Sequence, residues 1–510
     1  MKKRPRLPRI AVRLRGVLLS LLLIAQSLSP APAQTGLPAL GDGMEMSSSE
    51  ERRLGDRIAR ELYRSPSYLD DPVLAEYVQG IWLRLMAAAR LRGELSPELD
   101  ERFAWDVVLV RDRSVNAFAL PGGYMGVHLG LIAAVSSEDE LASVLAHELS
   151  HVTQRHIVRI IGRQSQQAPW LLGAMILGAL AAASNPGAAG AMIVGGQAAA
   201  VQGQLNFSRD MEREADRVGY GVLTQAGFQP QGFVGMFEKL QQANRFNDTG
   251  SFPYLRSHPL TTERIADMQA RQSLQAASAS PPLTAQHAML AARARLLANP
   301  EVDSLRAAQV QADGSTLSSM APAQQAGALY AAVMADTGLR DYRLAQGHLA
   351  RLQALVRGDP QADRQARLLA AELALSAGEF QRVNTLLATV PDSGDGRAAL
   401  FLRARSWTQG GRAREAAEQL QVWVTGRPRD AQAWQLLSAA YAAQGQHLRA
   451  VRAEAEVHAA RQDYGAARDR LQAAQALVRQ GGQVDHIEAS IVDTRSREIE
   501  RLLREQALER

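Results

Sequence analysis

His147-Glu148-Leu149-Ser150-His151 sets two imidazoles four residues apart with a carboxylate between them. On a helix, positions i and i+4 share one face, so both rings can donate to a single divalent cation. The glutamate can then reach a water at that cation and act as general base. A hydrolytic zinc takes three protein ligands and keeps one position open. The chain has no cysteine, so every donor must be a histidine or a carboxylate.

Two patterns supply the third ligand. In one, a glycine and a further histidine follow on the same stretch, but those positions hold Gln154 and Ile157. His156 comes nine residues after His147, and an uninterrupted helix turns it to the opposite side, behind the ligands or facing solvent. In the other pattern a glutamate arrives from a later helix. Glu212-Arg213-Glu214-Ala215-Asp216 fits, sixty-one residues beyond His151. Glu212 and Asp216 share a face, so the first can bind metal while the second orients a ligand histidine. Glu214 points roughly the other way.

Positioning these groups takes helices and a sheet. Residues 44–272 read as one α+β unit, opening with helical patterns at Ser49–Tyr63 and Asp71–Leu91. Phe103–Val110 and Ala117–His128 are rich in β-branched and aromatic residues and read as strands, with Pro121-Gly122-Gly123 as a turn. Ser136-Ser137 followed by Glu140 gives a capping-box start to the helix bearing the paired histidines. The segment Asn116, Ala117, Phe118, Ala119 is a candidate edge on which an extended substrate adds as a strand. Residues 168–201 carry no charge and are split by Ser184-Asn185-Pro186-Gly187. Each half is short of the roughly 20 residues that span a bilayer. A helical hairpin buried at the site or closing over it is expected. A membrane hairpin and a surface resting against lipid or a greasy substrate are the alternatives.

A length of 510 residues suggests about three domains. Residues 1–33 read as a signal peptide: seven Lys and Arg between Lys2 and Arg15, the apolar run Val17–Ala25, then Ala31-Pro32-Ala33 as a cleavage site. This leader explains the formal charge of +5, because beyond it 50 Lys and Arg face 52 Asp and Glu, a net −2. A nucleic-acid partner is therefore excluded. The absence of cysteine suits an oxidising compartment. Residues 273–323 read as a linker with one helix, 324–480 as repeats and 481–510 as a C-terminal helix. Gly378, Gly411 and Gly445 recur at 33 and 34 residues, the period of helix–turn–helix solenoids. Leu400, Ala404, Trp407 and Ala416 around Gly411, and Trp434, Ser438, Tyr441 and Ala450 around Gly445, follow the tetratricopeptide pattern. Such stacks form grooves that bind another protein or its tail.

His147–His151, Ser208-Arg209 ahead of Glu212-x-x-x-Asp216, Asn116–Gly123 and Ser257-His258-Pro259-Leu260 together carry a resemblance. The chain resembles the zinc metallopeptidase family that includes HtpX and the CAAX prenyl proteases. With its export signal and repeats it is similar to the periplasmic, barrel-assembly subgroup; unlike HtpX it lacks clear membrane spans. The resemblance implies an α+β gluzincin-like metalloprotease domain followed by an all-α tetratricopeptide-repeat solenoid. It implies one Zn²⁺ per chain on His147, His151 and Glu212, with Glu148 as general base. It also places His258 near the metal, either as an oxyanion donor or as a removable fourth ligand that keeps the enzyme latent. Misfolded outer-membrane proteins and the β-barrel assembly machinery are the implied clients and partner, and the periplasm the location. The rival reading is a chaperone-like adaptor in which proteolysis is secondary.

Overall fold

Ser47 and Asp71 each turn a side-chain oxygen onto a backbone N–H three residues ahead, satisfying a donor that a helix start leaves unpaired. They open α1 (Ser48–Arg64) and α2 (Pro72–Leu91). The computed structural model describes residues 46–163, 208–245, 251–271, 283–388, 390, 396–480 and 485–508. The expected leader and the 168–201 hairpin lie outside the described residues.

β1 (Tyr68–Leu69) lies between α1 and α2; with β2 (Asp106–Val110), β3 (Ala117–Leu120) and β4 (Tyr124–His128), which follow α3 (Pro97–Arg102), it forms a four-stranded sheet in the order β1-β2-β4-β3. β2 and β4 run parallel and the two outer pairs antiparallel. The stretch Ala117–His128 is thus two strands, turned at Pro121-Gly122-Gly123, where both glycines take positive φ (73° and 81°). The strand expected from Phe103 starts only at Asp106, because Phe103 caps α3 and Trp105 has φ 50°.

The remaining elements of this half are helical: α4 (Leu129–Ala134), α5 (Glu138–Thr153), α6 (His156–Arg163), α7 (Arg209–Gln225), α8 (Gln231–Arg245), α9 (Tyr254–Ser257) and α10 (Thr262–Arg271). The cap of α5 is shifted by one residue from the expected box. Ser137 Oγ accepts from Glu140 N, while Glu140 Oε2 accepts from Ser136 N at 2.7 Å. α5 and α7 meet at Gly219, where a Cβ would lie 3.1 Å from the Ala146 oxygen and 3.2 Å from His147 Cα. Lacking a Cβ, Gly219 lets the two helices approach more closely than a side chain there would ordinarily allow.

From 283 onward every regular element among the described residues is a helix. α11 (Ala285–Ala298) is followed by α12 (Val302–Asp313), where a loose stretch was expected. Four pairs come next: α13 (Pro322–Gly338) with α14 (Tyr342–Leu355), α15 (Pro360–Ser376) with α16 (Phe380–Ala388), α17 (Arg397–Gln409) with α18 (Ala413–Gly426), and α19 (Ala431–Ala443) with α20 (His447–Ala460). Each pair turns through three residues. Gly378, Gly411 and Gly445 sit in three of these turns with φ of 78°, 80° and 72°. α21 (Tyr464–Arg479) and α22 (His486–Leu508) complete the chain's described helices.

The two halves share a core. Val78, Trp82 and Leu85 of α2, Leu145 of α5 and Val218 of α7 belong to one buried cluster with Leu290 of α11, Leu368 and Leu375 of α15 and Leu402 of α17. Polar contacts reinforce the seam. Arg293, buried on α11, forks onto Asp71 at 2.7 and 2.9 Å and onto Glu372 at 2.7 and 2.8 Å. Arg364 pairs with Glu76, and Arg397 bridges Asp70 and Asp430. No helix among the described residues is long and apolar enough to cross a membrane.

Candidate metal centre

The structure brings His147 and His151 of α5 onto Glu212 of α7, with His258 closing the group from the residue after α9. One donor atom from each lies within 4.8 Å of the other three. Helical geometry explains the first pair: the two Nε2 atoms are 3.0 Å apart on one face of α5. The Gly219 contact explains the third, because it holds α7 against the turn that carries His147. Glu212 Oε2 lies 3.5 Å from His147 Nε2, and Glu212 Oε1 lies 3.4 Å from His151 Nε2. His258 Nδ1 lies 3.1 Å from Glu212 Oε1 and 3.3 Å from His147 Nε2. Its ring stacks on Tyr254 at 4.4 Å. All four groups are buried.

Glu148 and Asp216 stand on either side. Ala119 N–H donates to Glu148 Oε2 at 3.0 Å, which fixes the carboxylate against β3. Glu148 Oε1 is buried, makes no hydrogen bond and lies 3.3 Å from His258 Nε2. Asp216 Oδ1 lies 3.0 Å from His147 Nδ1, the side of the ring away from the cluster. A proton held there leaves the Nε2 lone pair for a metal. Of the expected substrate edge, Ala117, Phe118 and Ala119 form β3, on the outer side of the sheet, and Asn116 precedes it.

Arg264 of α10 was not singled out by the sequence. It forks onto Asp216 at 2.6 and 2.8 Å, reaches Glu212 Oε2 at 2.6 Å and donates to the Pro259 carbonyl. It lies forty-eight residues from Asp216, and no local pattern links the two. The one available clue is physical: buried carboxylates demand a buried cation. His156 is also placed differently from a continuous helix. α5 stops at Thr153, and His156 opens α6 with its ring packed on His151.

The donor set fits a dication. With neutral imidazoles, Glu148, Glu212 and Asp216 against Arg264 give the buried cluster a formal charge of −2, which a divalent ion cancels. With both imidazoles neutral and their protons on Nδ1, the two Nε2 lone pairs 3.0 Å apart also need a positive centre that both can face. The titration behaviour agrees. Burial opposes charge on His147, yet Asp216 and Glu212 outweigh it and push its pKa up to about 9. Burial likewise opposes charge on Glu212, but His258, His147 and His151 hold it well below the usual carboxylate range. His151 is held well below the usual imidazole value by burial. The cluster attracts positive charge and holds Glu212 and Asp216 ionised.

Residues 72–272 match Peptidase family M48. A Vibrio cholerae relative is 36% identical over 255 residues, 49% of this chain and 51% of its own. A beta-barrel assembly-enhancing protease of Yersinia pestis is 35% identical over 267 residues, and this chain spans about half its length, 52%. The Escherichia coli protein of the same name is 29% identical over 455 residues, 87% of this chain and 88% of its own.

Proposed function

We propose that this chain, which carries a Peptidase family M48 domain over residues 72–272, is a periplasmic zinc endopeptidase that degrades misfolded or stalled outer-membrane β-barrel proteins. The observation that carries the reading is the buried convergence of His147, His151 and Glu212 beside Glu148, whose Oε1 makes no hydrogen bond among the described residues. The names of the Yersinia and Escherichia relatives support the client class. A donor set of two imidazoles and a carboxylate without thiolates suits zinc. Zinc bound there supplies a Lewis acid for the scissile carbonyl and lowers the pKa of water.

The chain's own groups do the rest. A substrate strand added to β3 lies beside α5, because the Ala119 N–H on that edge already meets Glu148. Glu148 Oε1 takes a proton from the attacking water and delivers it to the leaving amine. Asp216 and Arg264 hold His147 and Glu212 in place from behind. His258, with one nitrogen on the ligands and the other on Glu148, suits the removable fourth donor: it would block the reaction until its loop moved. His258→Ala should then raise basal peptidase activity; unchanged activity and metal binding would dismiss that role.

The leader directs export, and we assign residues 44–272 to the protease, 273–323 to a linking segment, 324–480 to tetratricopeptide repeats and 481–510 to a terminal helix. The repeats recruit clients or the barrel-assembly machinery. One observation favours the adaptor reading as a second role. A cavity of about 340 Å³ lies between sheet and repeat helices, lined by Tyr63, Tyr68, Asp106, Arg397, Trp423 and Arg461. The test is metal analysis and casein digestion by the mature chain, with and without chelator. Glu148→Gln should keep its metal and lose about 10²–10⁴-fold in rate. Undiminished digestion by that variant would refute the endopeptidase. A cellular phenotype fully restored by it would make binding the main function.

A further inference from the structure

Behind His151 the structure holds a second arrangement of titratable side chains. Arg155 has φ 54° and is pinned by Glu51 at 3.1 Å and the Met46 carbonyl. This break ends α5 and restarts the chain at His156, swinging its ring under His151. The two Nδ1 atoms are 2.9 Å apart, with ring planes at 73°. On its far side His156 Nε2 lies 3.0 Å from Glu214 Oε2, which also accepts from Arg159 Nη1 at 2.9 Å. Both histidines are fully buried, whereas the Glu214 side chain is 32% exposed.

With His156 neutral, the hydrogen-bond geometry is satisfied by one arrangement of protons along this chain of groups. An ionised carboxylate only accepts, so His156 Nε2 carries a hydrogen. A neutral His156 then has a bare lone pair at Nδ1. Its neighbour at 2.9 Å must be a donor, so His151 carries its hydrogen on Nδ1. That leaves the His151 Nε2 lone pair facing His147 and Glu212. We propose that Glu214 and His156 form a positioning pair that locks His151 in the metal-ligating tautomer, as Asp216 does for His147. The intermediate imidazole is neutral, so it transmits orientation while the Glu214 charge stays near solvent. The metal cluster keeps its −2 balance. The inference rests on the metal-site reading of His151 and is independent of whether the chain is a protease.

The test measures zinc affinity of the full mature chain by competition with a chromophoric chelator. His156→Leu should weaken zinc binding about 10–100-fold, the usual effect of removing such a partner. His156→Gln offers an acceptor and a donor and should recover most of the loss. Glu214→Leu, at a part-exposed position, should weaken binding about tenfold. The visible spectrum of the cobalt-substituted protein should change for the leucine variants and return for glutamine. A folded His156→Leu with wild-type zinc affinity overturns the proposal, as does a glutamine variant no better than leucine. If His156→Leu fails to fold, Glu214→Leu decides alone, and unchanged affinity there overturns it. Zinc binding by the parent chain without casein digestion would refute the endopeptidase reading and leave this one standing.

Discussion

Arg264 offers the sharpest test of the charge arithmetic. It is 3% exposed and contacts three oxygens of Asp216 and Glu212 within 2.8 Å. Arg264→Met keeps most of the stem and removes the guanidinium charge, taking the cluster's formal charge, with imidazoles counted neutral, from −2 to −3. Deleting one partner of a buried ion pair costs about 3–5 kcal/mol, because the other is left uncompensated. At about 2.1 cal/mol/K per residue, a cooperative unit of roughly 400 residues shifts by about 1.2 °C per kcal/mol, so Tm in chelator should fall by roughly 4–6 °C. Arg264→Lys retains the charge but not the fork and should fall between the two. Differential scanning calorimetry of mature protein in excess chelator measures this directly. A methionine variant melting within about 2 °C of the parent would show that the carboxylates do not depend on Arg264. The charge argument for a dication would fall with it.

Gly219→Val should push α7 away from the Ala146–His147 turn. Overpacking of this kind costs about 1–3 kcal/mol, and zinc affinity should drop although no ligand is altered; chelator competition giving the parent's Kd would refute it. Arg293→Met leaves Asp71 and Glu372 without their shared partner and should cost about 3–5 kcal/mol. Circular-dichroism melting should show one transition moved as a whole, and a split into two would contradict the shared core. His348 lies 2.7 Å from Asp336 and 3.0 Å from Asp313. Burial opposes its charge, but those two carboxylates outweigh it and raise its pKa above 6.5. Its contribution is therefore complete below pH 6.5 and lost as pH rises through the folded value. Denaturant titrations of His348→Gln should show a shallower decline with pH above 6.5 than the parent, and identical slopes would reject the assignment.

The parts of the site that share one helix were legible because the period of a helix is fixed. His147 with His151, and Glu212 with Asp216, needed only counting. The convergence of the two helices was an inference from pattern, and what makes it physical is Gly219, a residue with no chemistry of its own. Arg264 could not be read, because its contact with Asp216 depends on how α10 returns to α7. His156 was read as behind the ligands or facing solvent by carrying helical periodicity through Arg155, whose positive φ breaks the helix and sets the ring directly under His151. The sheet was anticipated in outline, with its turn at Gly122-Gly123, but its first long strand lost three residues to the cap of α3 and the strained Trp105. In the C-terminal half the glycine period predicted where helices turn. The loose stretch before Gln324 was misjudged because alanine-rich Val302–Asp313 shows little amphipathic contrast until its neighbours are present.

Leu290, Leu368, Leu375 and Leu402 belong to the same buried cluster as Leu145 and Val218 of the helices that carry the metal donors, with α11 packed on α2 and α4 and α17 on α2. The C-terminal helices are in that sense a wall of the half that holds the metal centre, and cutting the chain after residue 272 would bare its hydrophobic interior to water. An isolated catalytic fragment should come out of cells aggregated. Swapping the helical array for one from another protein should likewise fail unless these inward-facing leucines travel with it. Under the proposed function, a client docked on the array would rest on the same buried cluster that backs the helices of His147 and Glu212, giving binding and cleavage a common frame.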